Sequence, residues 1–78
     1  MNNLRVWHIQ NPPNHPMHWS VSSVEEARQK IQKLIQLDLK NTRIVSNAFG
    51  LEIQENDEWS EWYNDEGQDI MELVNDGD

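Results

Sequence analysis

Ser22-Ser23-Val24-Glu25-Glu26-Ala27-Arg28-Gln29-Lys30-Ile31-Gln32-Lys33-Leu34-Ile35-Gln36-Leu37-Asp38-Leu39 is the segment on which the reading of the fold turns. It opens with two overlapping Ser-x-x-Glu pairs, Ser22 with Glu25 and Ser23 with Glu26. In such a capping box the hydroxyl accepts from an amide of the first turn, and the carboxylate reaches back to a free amide before it. Val24, Ala27, Ile31, Leu34, Ile35 and then Asp38 or Leu39 recur at spacings of three and four, so one apolar stripe faces a sheet. Arg28, Gln29, Lys30, Gln32 and Lys33 face water. Acids at the start and lysines further along suit the helix dipole. A helix of about four turns, starting at Ser22 or Ser23 and ending near Lys40-Asn41, is expected.

Outward from this helix the period changes to two. On its N-terminal side, Leu4 to Ile9 is rich in β-branched and aromatic residues and predicts a strand that stops at Asn11-Pro12-Pro13. A loop over residues 10–16 leads to Met17–Val21, a second strand with Met17, Trp19 and Val21 on one face and His18 and Ser20 on the other. On its C-terminal side, Arg43–Gln54 alternates with Phe49, Leu51 and Ile53 inward and Ala48, Gly50 and Glu52 outward. Glu55-Asn56-Asp57 turns the chain, and Glu58–Tyr63 returns as the partner strand. Asn64-Asp65-Glu66-Gly67 is another turn. Asp69–Val74 has the composition of a short helical turn or an edge strand, and Asn75–Asp78 that of a frayed end. The order strand, strand, helix, strand, strand predicts a single α+β domain over residues 1–78, with one amphipathic helix on an antiparallel sheet of about four strands.

Composition narrows the function. A 78-residue chain has a thin core and little room for a deep catalytic cleft. Without cysteine there is neither disulfide nor thiolate nor Cys-bound zinc. Apolar runs are as short as Leu34-Ile35, which predicts neither a membrane span nor a signal peptide. A net charge of −8 opposes direct binding to nucleic acid or to an anionic membrane. His8, His15 and His18 do not form a metal-ligand pattern. Residues 64–69 resemble a calcium loop in composition alone, because the position for the bidentate Glu falls on Leu73. Pro13-Asn14-His15-Pro16 reads as a tight loop. No phosphate loop, nucleophile elbow or Cys-His pair is present, so a non-enzymatic protein without cofactor or metal is expected.

The charge is unevenly placed. Eleven of the 14 carboxylates lie from Glu52 onward, where there is no Lys or Arg, and four of the six aromatic rings lie at or just before that stretch. Glu58, Trp59, Glu61, Trp62, Tyr63, Asp65 and Glu66 therefore form the candidate partner-binding set. Carboxylates would attract a basic protein surface, and an incompletely covered indole would anchor it. Strand alternation sends Trp59, Glu61 and Tyr63 one way and Glu58, Ser60 and Trp62 the other. A helix covers one face only, so at least one ring, among them Trp7 or Trp62, is covered by a loop, by a terminus or by another chain, which leaves self-association open. Acids two apart on a strand, about 6.6 Å, also approach the spacing of nucleic-acid phosphates, so mimicry of a polyanion is a variant of the same reading.

Four stretches carry a resemblance: Val6-Trp7-His8-Ile9-Gln10-Asn11-Pro12-Pro13, the helix start Ser23-Val24-Glu25-Glu26-Ala27, Asn47-Ala48-Phe49-Gly50-Leu51-Glu52, and Glu58–Ile70 with its spaced tryptophans. Together they look like a group of small acidic accessory proteins of bacteriophages and prophages, some labelled superinfection-exclusion proteins. What the resemblance implies is a binding protein that works in the host bacterial cytoplasm on a host or defence factor. Alternatives of other classes are a sponge for a nucleotide signal, with Trp and His rings stacking on the base, and a structural or regulatory oligomer subunit.

Overall fold

The structure, a computed structural model, describes residues 3–76. The elements are β1 (Leu4–Gln10), β2 (Met17–Val21), α1 (Val24–Leu39), β3 (Asn47–Glu55), β4 (Glu58–Glu61) and α2 (Ile70–Asp76). All strand pairings are antiparallel and the sheet order is β2-β1-β3-β4. The α+β class holds. The C-terminal segment is a second short helix, so the order is ββαββα and not one helix alone. Asn75 and Asp76 belong to that helix, while Gly77 and Asp78 of the expected frayed end lie outside the described residues.

The helix start is governed by Ser23, whose Oγ accepts from the Glu26 amide at 3.0 Å. Glu26 reaches one residue further back than a capping box requires. It accepts from the amide of Ser22 at 2.5 Å and from its hydroxyl at 2.6 Å, and these bonds hold its carboxyl below the usual carboxylate range. The second box does not form: the Ser22 amide and hydroxyl both bond Glu26, and Glu25 pairs with Arg28 at 2.9 Å. Lys40 caps the far end through its amide to Leu37 O. No basic residue occupies the last turn, so the lysines at 30 and 33 sit too early to complement the dipole.

The third strand is shorter than the alternation suggested. Asn11, at φ 51°, turns its side chain toward the segment before β3. Its Oδ1 accepts from Val45 N at 2.8 Å and Ser46 N at 3.3 Å, and its Nδ2 donates to Arg43 O at 2.9 Å. Backbone groups taken up in this way cannot join a ladder, so residues 43–46 form a loop and β3 starts at Asn47. The β3–β4 hairpin closes on Asn56 and Asp57, both at positive φ (53° and 66°), as a tight two-residue loop requires. Strand β4 ends at Glu61, two residues early. Asn64 Oδ1 accepts from the amides of Glu66 and Gln68, both at 2.9 Å, and folds the chain into a turn with Gly67 at φ 77°.

Both helices pack on one face of the sheet. Val6, Val21, Phe49 and Leu51 meet Ala27, Ile31 and Leu34 of α1 and Ile70 and Val74 of α2. Ile35 and Ile53, expected in this core, are only half-buried. Of the two candidates that end the stripe, Asp38 is buried and Leu39 is 75% exposed. A buried carboxylate needs partners, and Asp38 has three. His8 Nε2 lies 2.9 Å from Oδ2, Asn47 Nδ2 donates to the same oxygen at 2.9 Å, and Gln10 Nε2 donates to Oδ1 at 3.0 Å. His8 is 1% exposed and stacks on Phe49 with centroids 4.4 Å apart.

Two outcomes follow from this packing. Ile31→Asp places an unpaired charge at a fully buried position and should cost several kcal/mol, comparable to the whole stability of a small domain. Loss of a cooperative thermal transition in circular dichroism would show it, and a normally melting variant would contradict the core. For Asp38, burial is the largest influence and raises its pKa, but the bonds from Asn47, Gln10 and His8 together with the His8 charge outweigh it, so the net shift is downward. A depressed carboxyl stabilises fully above its unfolded value of 3.8, and that contribution is lost as pH falls through the folded value. Asp38→Asn should cost about 1–3 kcal/mol at pH 7. Urea titrations should show a flatter loss of stability below pH 3.8 for the variant than for the wild type.

Candidate functional site

The sheet face away from the helices is formed by alternate residues that carry large rings and charges. Arg5, Glu52 and Glu61 lie in one row across β1, β3 and β4, because Arg5 pairs with Glu52 and Glu52 with Glu61. The next row places Trp7 between His18 and Gly50. Gly50 is what permits this arrangement. A Cβ there would collide with Cε2, Nε1 and Cζ2 of Trp7, so the indole lies flat over the bare backbone of β3. From that seat its Nε1 donates to Glu61 Oε1 at 3.2 Å. Arg5 Nε donates to Glu52 Oε1 at 2.7 Å while the guanidinium sits 4.1 Å above the Trp59 ring centroid. An open cleft of about 210 Å³ lies beside them, lined by Trp7, Ile9, Pro16, His18 and Glu52.

The electrostatics of this face are unbalanced. Arg5 is the only Lys or Arg in the four strands. Partial burial, foremost, and the negative charges of Asp69 and Glu52 raise the pKa of Glu61, against the opposing bonds from Trp7 and the Leu51 amide. Ionised Glu61 is thus held beside Asp69 and Glu52, of which Arg5 pairs with Glu52 alone.

The seven candidate residues divide between two sides of the sheet. Trp59 and Glu61 are half-buried on the open face, Glu58 is exposed on β4, and Asp65 and Glu66 are exposed in the following turn. Tyr63 is 58% exposed. Trp62 is half-buried, with its ring packed against the helix-side core and its amide donating to Leu51 O at 2.8 Å. Trp7, Glu52 and Asp69 belong to the site although they lie outside the candidate set. For Trp7 the available signal was Gly50, the one residue of β3 without a side chain and so with room for a ring from the neighbouring strand.

The His8–Asp38 pair has the residue types of an acid–base dyad, but at 1% and 5% exposure it is closed to a substrate. Among the described residues no group of three or more His, Asp or Glu is placed to hold a metal ion, and no helix is long and apolar enough to cross a membrane. Comparison with protein-family models, with curated proteins and with solved structures finds no match.

The Trp7–Gly50 contact is directly testable. Gly50→Ala should destabilise by about 1–3 kcal/mol through overpacking. In a Trp7→Ala background the same change should cost nearly nothing, since the colliding ring is gone. A urea double-mutant cycle reads the difference, and equal costs in both backgrounds would show that Trp7 does not occupy this seat.

Proposed function

We propose that the protein is a non-enzymatic binding protein whose open sheet face and adjoining acidic turn dock onto a basic protein surface. The observation that carries this reading is the gathering of Glu52, Glu61 and Asp69 beside two half-exposed indoles, with Arg5 the only cation of the sheet among them. Like charges placed close together cost the free protein stability, and a cation from a partner would relieve that cost. Trp7, Trp59 and the exposed Tyr63 supply the apolar contact that charges alone do not, since long-lived complexes rest on desolvated aromatic anchors. The resemblance to phage accessory proteins favours a host or defence factor in the bacterial cytoplasm as the partner. The net charge of −8 argues against nucleic acid as a direct ligand.

Steering and holding should separate in the kinetics. Cross-linking and mass spectrometry in bacterial lysate identify the captured protein, and surface plasmon resonance at two ionic strengths then measures variants against it. Glu58→Lys with Glu61→Lys should slow association and weaken its salt dependence, whereas Tyr63→Ala or Trp59→Ala should mainly quicken dissociation. Capture that survives the double charge reversal unchanged at low salt would leave the acidic face as a solubilising surface and remove the support for this function.

A further inference from the structure

The opposite edge of the sheet has a different character. Asn3 O accepts from Gln54 N at 2.8 Å and Asn11 N donates to Ser46 O at 2.8 Å, so odd-numbered residues of β1 bond β3. Alternation then directs the even-numbered residues, Leu4, Val6 and His8, to Val21, Trp19 and Met17 of β2. The remaining β2 residues, His18 and Ser20, turn their backbone amides and carbonyls away from the sheet. Among the described residues nothing bonds them.

Beside this edge lies an open cleft of about 290 Å³. Trp19, Ser20 and Val21 form one wall, and Gln29, Lys30 and Lys33 of α1 form the other. The Lys30 ammonium lies 4.2 Å above the Trp19 ring centroid, and the indole N–H of Trp19 has no acceptor. Neither Lys30 nor Lys33 belongs to an ion pair among the described residues. Glu26 also lines the cleft, but its carboxylate is turned back to Ser22. In a protein of net charge −8 this is where two cations converge beside unpaired backbone.

We infer that the groove between β2 and α1 binds an extended acidic peptide segment of a partner, which adds as a fifth strand on His18 and Ser20 and sets its carboxylates against Lys30 and Lys33. Main-chain bonds to a free edge supply affinity that does not depend on side chains, and the flanking lysines select for acids. This surface is independent of the acidic face, which lies toward the other edge and takes the opposite charge.

The test uses a capped peptide of alternating Glu and Val, eight residues long, with a Lys-Val peptide of the same length as control, read by amide hydrogen exchange and ¹⁵N NMR of the whole chain. The Glu-Val peptide should slow exchange at His18 and Ser20 by about tenfold or more, as new backbone bonds do, and the Lys-Val peptide should not. Lys30→Glu with Lys33→Glu should weaken binding about tenfold or more. Ser20→Pro removes an amide that β1 does not use, so the variant should fold and lose the peptide. Equal binding of both peptides, or protection at Trp59 and Glu61 instead, would overturn the inference. So would protection of Ser20 that rises with protein concentration alone, which would assign the edge to a second copy. AMP that shifts the Lys30 and Trp19 signals while the Glu-Val peptide leaves the two amides unprotected would make the cleft a small-anion site.

Discussion

The carboxylate of Asp38 joins the end of α1 to both central strands, and the placement of the helix on the sheet depends on it. One oxygen takes His8 of β1 and Asn47 of β3, and the other takes Gln10 of β1. A carboxylate is an acceptor only, so three donors converging on it leave little freedom for the helix to slide or roll. A hydrophobic stripe alone tolerates such movement, because apolar contact is not directional. Removing one member leaves a buried polar group short of a bond, which costs about 1–3 kcal/mol. In a thin-cored domain that is a large share of the total. His8 Nδ1, buried and without a partner, is the one polar atom this network leaves unsatisfied.

With both helices fixed on one side, the other side of the sheet has to be stabilised by its own side chains. Trp7 over Gly50 and Arg5 over Trp59 do this in part, each covering a stretch of backbone or ring with a large planar group. The cover is incomplete because the rings are only half-buried. The charges of the face follow from the same geometry. Glu52 and Glu61 are directly opposed on neighbouring strands, a placement that destabilises an isolated hairpin. Arg5 forms an ion pair with Glu52 and the neutral Trp7 N–H donates to Glu61, while burial and the charges of Asp69 and Glu52 still raise the pKa of Glu61.

Much of the architecture was legible because single residues dictate it. Ser23 and Glu26 mark the helix start, the alternation through Phe49, Leu51 and Ile53 fixes which face of β3 turns inward, and Asn56-Asp57 allows only a tight hairpin. What stayed hidden were consequences of contacts between distant segments. Asn11 shortens β3 by binding residues 43–46, more than thirty positions away, and no local pattern announces that. His8 appears polar and solvent-facing until Asp38 is known to lie beneath α1. Trp59 and Trp62 are both half-buried on opposite faces of the sheet, and the core that Trp62 packs against includes Ile70 and Val74 of the short α2. Ile70 and Val74 of that helix had no periodic neighbours long enough to distinguish a helical turn from a strand.

The two free edges of the sheet carry opposite characters, and this limits how copies of the chain can meet. On β4 the outward backbone belongs to Trp59 and Glu61, flanked by the exposed Glu58, so pairing one β4 with another would set like charges face to face. On β2 the edge itself is uncharged and the nearby charges are Lys30 and Lys33 of α1, which repel their own kind in a β2–β2 pairing. The pairing that charge permits joins β4 of one copy to β2 of the next. Such a contact is head-to-tail, does not close on itself by two-fold symmetry and would propagate into a filament. A net charge of −8 on every added copy opposes that growth. Charge therefore opposes self-pairing at either edge and leaves both edges to chains of other composition, as the proposed binding role requires.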